Sequence, residues 1–128
     1  MGIEARMTRA FAIDGVVKTG NVVRSEGLRK SYKEEIPGDE TNFHLAGAFA
    51  AADIEAFWIK ASRDCTLKTN DGTTPDDEFQ LQAGEPIDWA AGQGINCPIT
   101  QDVTGFYVTT PAGEPTILEM ELLVDPSP

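Results

Sequence analysis

The closing segment of the chain constrains the fold most strongly, because apolar and charged residues alternate there with a period of two. Its inward set would be Leu118, Met120, Leu122 and Val124. Glu119 and Glu121 fall between them and would face solvent. This alternation is typical of a strand that belongs to a sheet with one buried face.

Further strand signals recur between turn formers. Residues 54–61 are apolar on both faces, which predicts a strand covered on both sides. Residues 65–70 alternate, a polar turn spans 70–77, and residues 79–83 return as a hairpin partner. Residues 111–115 are expected to form a hairpin turn between a strand at 103–110 and the closing strand.

The whole pattern predicts an all-β chain of about eight to ten short strands, an antiparallel β-sandwich with a jelly-roll-like arrangement. In the alanine-rich segment 46–56 we expect a strand ending near Phe49, one helical turn at 51–55, and then the strand through Trp58. Residues 1–8 are interpreted as an N-terminal arm, 9–125 as one domain and 126–128 as a polar tail. Residues 25–33 are expected to form a helix or loop with a solvated face.

The central and C-terminal parts of the chain carry a resemblance. Their matching residues are Thr66-Leu67-Lys68-Thr69-Asn70, Phe79, Leu81, Ala83-Gly84, Pro86, Trp89, Pro98, Asp102-Val103-Thr104, Tyr107-Val108-Thr109 and Ile117 to Asp125. Over roughly residues 34–128 this pattern resembles small virion structural proteins of tailed bacteriophages. The resemblance implies a structural role with no catalytic residues.

Charge is distributed unevenly along the chain. Residues 1–70 hold all ten Lys and Arg and ten acidic residues, whereas residues 71–128 hold eleven acidic residues and no basic one. An acidic segment repels phosphate, which argues against nucleic-acid binding. It is either a solvated surface or an interface for a basic partner. The candidate basic interface residues are Arg6, Arg9, Arg24, Arg29, Lys30 and Lys33.

The two cysteines, Cys65 and Cys97, do not have the spacing of a metal site. They could form a disulfide in an exported protein. In a reducing compartment they are expected to be small buried side chains. The first 20 residues lack a secretory signal and no apolar run is long enough to span a membrane, so we expect synthesis in the host cytoplasm and no membrane partner.

No catalytic or cofactor site emerges from the sequence. His44 is the single histidine and lies in an alternating strand pattern, without a nucleophile motif. Calcium could bind carboxylates in and beside the 70–77 turn, but their spacing is not that of an EF-hand, and Asx turns with solvation explain them better. Those carboxylates belong to Asp71, Asp76, Asp77 and Glu78.

Two functional hypotheses remain open. The first is a non-enzymatic virion protein, most simply a capsid decoration or cement protein that binds the major capsid protein and forms a homo-oligomer, with a trimer favoured. The second is a carbohydrate- or receptor-binding β-sandwich. It requires an exposed aromatic residue, and Trp89 beside a glycine-rich loop is the best candidate, since Trp58 and Tyr107 are expected to be core residues.

Overall fold

The structure is a computed structural model that describes residues 3–92 and 94–125. Within this part of the chain, nine strands and one 3-10 turn follow one another. They are β1 (Ile3–Ile13), β2 (Val16–Ile36), β3 (Phe43–Phe49), the 3-10 turn (Ala51–Asp53), β4 (Ile54–Ala61), β5 (Cys65–Thr69), β6 (Glu78–Leu81), β7 (Ile87–Ala90), β8 (Val103–Thr109) and β9 (Thr116–Val124).

The strands form two antiparallel sheets that pack face to face, so the predicted all-β sandwich is confirmed. One sheet has the order β1-β2-β9-β4-β7 and the other the order β3-β8-β5-β6. Four pairings are nested: β2 with β9, β3 with β8, β4 with β7, and β5 with β6. The chain from β2 to β9 therefore follows the path of one long hairpin, with β5 and β6 at its tip, wrapped into two layers.

The inward face of β9 is the centre of the core. Leu118, Met120, Leu122 and Val124 are at most 5% exposed, as their alternation predicts. They lie against residues of the opposite sheet such as Phe106, which is 1% exposed. Burial of this apolar layer is the main source of stability, at about 25 cal/mol per Å² removed from water.

Gly47 on β3 leaves room for the ring of Phe106, which lies on the neighbouring strand β8 of the same sheet. A Cβ atom there would lie 2.7 Å from the Phe106 ring, so glycine lets that ring enter the core. Phe106 also meets Tyr32 edge-on, with ring centroids 6.3 Å apart. Tyr32 is on β2, and this contact joins the two sheets at the edge of the sandwich.

The first strands extend beyond the sandwich. β2 pairs with β9 from Leu28 to Ile36, whereas its earlier part pairs with β1 as far as Gly27. Residues 3–27 therefore form a two-stranded antiparallel extension, here called the ribbon, whose tight turn lies at Asp14 and Gly15 with φ angles of 48° and 81°. Twist that accumulates along two strands allows such a ribbon to leave the plane of its sheet.

Three expectations need correction. The boundary expected after residue 8 falls inside β1, which continues to Ile13 as part of the ribbon. Met1, Gly2 and the expected tail at 126–128 lie outside the described residues. Residues 25–33 belong to β2, because pairing with β1 up to Gly27 and with β9 from Leu28 decides their conformation over the local pattern. Residues 111–115 are not a hairpin turn, since they connect β8 and β9 in different sheets.

The local path around the alanine-rich segment agrees with the sequence. β3 ends at Phe49, the 3-10 turn follows at Ala51–Asp53, and β4 begins at Ile54. The hairpin of β5 and β6 is also confirmed, with Cys65, Leu67 and Thr69 facing the core.

Two buried threonines provide a paired test of this core. The Thr116 hydroxyl is buried without a hydrogen-bond partner, whereas the Thr110 hydroxyl donates to the Pro37 carbonyl at 2.8 Å and accepts from the Glu40 N–H at 3.0 Å. We expect Thr116→Val to raise the free energy of unfolding by about 1 kcal/mol, and Thr110→Val to lower it by about 1–3 kcal/mol. Urea titration measures both changes, and equal effects of the same sign would contradict the assigned burial.

Candidate interaction surfaces

The outer face of the five-stranded sheet carries a charged cluster. Glu121 of β9 accepts hydrogen bonds from the Arg29 guanidinium and the Ser31 hydroxyl, both on the neighbouring β2. The Arg29 contact, with help from Ser31, holds the pKa of the Glu121 carboxyl below its usual range. Because solvent screens this exposed ion pair, it adds little to the free energy of unfolding. Its main effect is to hold the Arg29 and Glu121 side chains together.

Trp58 lies in the same outer face, between Glu121 on one side and Asp88 on the other. It is half-buried, so the prediction that it is a core residue is wrong. The same alternation that turns Phe57 and Ile59 inward turns Trp58 outward.

A small apolar cluster adjoins Trp58 and was not predicted. It consists of Ala56, Ala90 and Leu123, which are at most 3% exposed although they lie on the outward side of β4, β7 and β9. The backbone of β2 approaches both β4 and β7. Neither strand is its neighbour in the sheet, because β9 lies between β2 and β4, and β7 lies beyond β4. The break of alternation at Leu122-Leu123 was the sequence signal for this cluster.

Trp89 lies inside the sandwich. It is 7% exposed, contacts Phe57 with ring centroids 6.4 Å apart, and its Nε1–H donates to the Ile95 carbonyl at 2.9 Å. The expectation that it is exposed is therefore wrong: on β7 it falls on the inward side, and the following loop covers its polar edge. Trp89 therefore does not supply the exposed aromatic residue that the carbohydrate-binding hypothesis assigned to it.

The 70–77 loop is held by a network centred on Asn70. Its Nδ2 donates to Asp76 at 2.6 Å and to the Asp102 carbonyl at 2.7 Å, while its Oδ1 accepts from the Thr104 N–H at 2.7 Å. The positive φ of 71° at Asn70 suits this residue type. One amide side chain thus joins the tip of the β5–β6 hairpin to the start of β8.

The carboxylates of this loop have separate partners. Asp71 accepts from the Thr73 N–H at 2.8 Å, and this contact, with those from Thr74, lowers the pKa of its carboxyl. Asp77 accepts from the N–H and hydroxyl of Thr100, each at 2.8 Å. Across the described residues, no group of three or more His, Cys, Asp or Glu is arranged to hold a metal ion. The geometry therefore corresponds to Asx-type loop bonding.

His44 lies exposed on the outer face of the four-stranded sheet. Its ring lies 5.0 Å from that of Tyr107 on β8, which is half-buried and not the core residue expected. Gly105 lies beneath the imidazole, where a Cβ atom would come within 2.8 Å of Nε2. His44 thus forms an aromatic surface contact with its neighbours.

The predicted basic residues divide between two places. Arg6, Arg9 and Arg24 belong to the ribbon, where Arg6 pairs in register with Val23, Arg9 with Gly20 and Arg24 with Ala5. Arg29, Lys30 and Lys33 belong to the sandwich part of β2, where they lie opposite Leu123, Leu122 and Glu119. Three of the six residues thus lie in the ribbon and three in the sandwich part of β2.

Two of the shallow grooves on the sandwich are lined entirely by described residues. One, of about 400 Å³, runs beside β6 and is lined by residues such as Thr66, Gln80 and Thr109. The other, of about 260 Å³, lies between β2 and β9 beside Lys33 and Glu119. Both linings combine polar and apolar side chains on sheet surfaces.

Both cysteines are free thiols. Cys65 faces the core, where burial and the neighbouring Asp64 raise the pKa of its thiol to about 11. Cys97 is half-buried, and burial raises its thiol pKa despite a backbone hydrogen bond with Ile99. The prediction of small buried side chains is confirmed for Cys65.

We expect Cys65 to react very slowly with a disulfide reagent such as DTNB, because roughly one thiol in ten thousand is ionised at pH 7 when the pKa is near 11. Unfolding in urea should release one fast-reacting thiol that Cys65→Ser lacks. Cys97→Ser isolates this signal. Immediate reaction of Cys65 in the native protein would contradict the assigned position.

Comparison of the chain with protein-family models, curated proteins and solved structures found no match. Among the described residues there is also no helix long and apolar enough to cross a bilayer.

Proposed function

We propose that this protein is a structural component of a tailed-bacteriophage virion, a capsid decoration or cement protein that binds the assembled shell through non-covalent contacts. In this role it binds and does not catalyse a reaction. Its partner is the major capsid protein or another virion protein, and it acts as a homo-oligomer in which three copies are favoured.

The ribbon is the observation that carries this proposal. The two strands of residues 3–27 pair with each other, from Ile3 with Gly27 to Ile13 with Val16, and the backbone of β2 also approaches β4 and β7. An isolated two-stranded ribbon is at best marginally stable in water. A chain that devotes so many residues to such an extension gains stability when a neighbouring surface covers it, as happens inside an assembly.

The strand order supports the same role. We infer that β2 to β9 form a jelly roll, because all four nested pairings of a rolled-up hairpin are present. This architecture recurs in viral capsid proteins and in lectins. The burial of Trp89 argues for the first of these two classes.

The composition of the core also favours a binding role. Among the described residues the buried polar side chains are Thr69, Thr110 and Thr116, and none is charged. Active sites ordinarily hold titratable groups whose pKa values burial and charged neighbours have shifted. Here the carboxyls with shifted pKa values, Asp71 and Glu121, owe their shifts to surface hydrogen bonds.

Binding to heads tests the proposal directly. Expanded heads of the phage that encodes the protein, prepared without it, should bind the purified protein until a fixed ratio to the capsid subunit is reached. Co-sedimentation measures this ratio. Ala10→Pro removes a main-chain donor from the ribbon and should weaken binding by about tenfold or more, whereas Ala10→Ser should change it by less than about twofold.

Two controls define the result. Heads that already carry the protein should bind no more of it, and heads of an unrelated phage should bind none. A protein that bound to no head or tail particle of its own virion would contradict the proposal.

A further inference from the structure

We propose that the ribbon of one copy docks on the β6 edge of a second copy, with β1 adding to β6 as an extra strand. This inference deepens the proposed function, since it names the surfaces through which copies of the protein join. The occupant of the β6 edge is thus a specific segment of the same chain.

Charge separation along the chain is the first reason. The ribbon, residues 3–27, has four basic and three acidic residues, a net charge of +1, while residues 28–128 have six basic and 18 acidic residues, a net charge of −12. Two sandwiches therefore repel each other, whereas a ribbon and a sandwich do not. This charge separation favours contact between the ribbon of one copy and the sandwich of another over contact between two sandwiches.

The free edges of the sheets are the second reason. β1 and β7 are the edge strands of one sheet, and β3 and β6 of the other. An edge strand has main-chain groups that can pair with another strand, and extended segments commonly bind in this way. β1 thus has main-chain donors and acceptors along its free edge. The edge strands β3, β6 and β7 could each pair with it.

The acidic residues identify which edge receives it. Glu78 begins β6 and is exposed, and the exposed Asp71 and Asp76 lie in the loop that leads into it. Fewer acidic residues flank the other two edges: Asp39 and Glu40 precede β3, and Glu85 precedes β7, in which Asp88 is half-buried. The net positive ribbon therefore matches β6 best.

The nearest basic residue does not neutralise this edge. Lys68 lies opposite Glu78 in the register of β5 and β6, but its ammonium donates to the Gly72 carbonyl at 2.9 Å and to Asn42 Oδ1 at 3.4 Å. The Glu78 carboxylate accepts from Gln80 Nε2 at 3.0 Å, a neutral donor. The negative charge thus remains available to a basic strand from outside.

The contact is head-to-tail, because the donating ribbon and the receiving edge are different surfaces. Repetition of a head-to-tail contact closes into a ring when the rotation permits. We propose a ring of three, in agreement with the oligomer expected for the virion protein. Its mass would be three times that of the 13.8 kDa chain.

Complementation between two variants tests this contact. Glu78→Lys keeps a functional ribbon and loses the receiving edge, while the double variant Arg6→Glu/Arg9→Glu keeps the edge and loses the ribbon. In analytical ultracentrifugation at about 100 µM each should be monomeric, with association weakened by about tenfold or more. Their mixture should associate, because the intact ribbon of one variant meets the intact edge of the other and the two altered surfaces are also opposite in charge.

The matched control is Glu114→Lys, which makes the same charge change at an exposed position in the loop before β9 and should assemble as the wild type does. Circular dichroism confirms that each variant is folded. A monomeric wild type, equal effects of Glu78→Lys and Glu114→Lys, or a mixture that stays monomeric would each overturn the contact. Head binding, measured separately with wild-type protein, decides the proposed function independently of this result.

Discussion

The packing of one apolar layer between two sheets is the constraint on which the rest of this structure depends. β9 pairs with β2 on one side and β4 on the other, and its inward side chains reach the opposite sheet. All loops then start from strand ends that this layer has fixed. The Asn70 network is one consequence, since it can form only where β5 and β8 already lie side by side.

The same constraint explains why the ribbon lies outside. A layer between two sheets holds a limited number of side chains, and β2 to β9 fill it with residues such as Phe57, Phe106 and Met120. The first half of β2 continues past the end of β9 and pairs there with β1. We therefore expect the stability of this pair of strands to depend on the surfaces that it contacts, in keeping with the proposed role in assembly.

Much of the sandwich could be predicted from sequence because a period of two is a local signal. The closing strand, the β5–β6 hairpin and the turn at Ala51–Asp53 follow from it. Pairing between distant strands is not local, so the mistaken hairpin at residues 111–115 and the course of β2 required the structure. The faces of Trp58 and Trp89 were mistaken for the same reason, since alternation identifies two faces but not which one is covered.

The central claim is that residues 3–27 are stabilised by a neighbouring molecule. Amide hydrogen exchange, read by mass spectrometry in the free protein and in the protein bound to heads, tests it most directly. We expect the sandwich amides to be protected in both states, and the ribbon amides to exchange rapidly when free and slowly when bound. Ribbon amides that exchange at the same rate in both states would contradict the account.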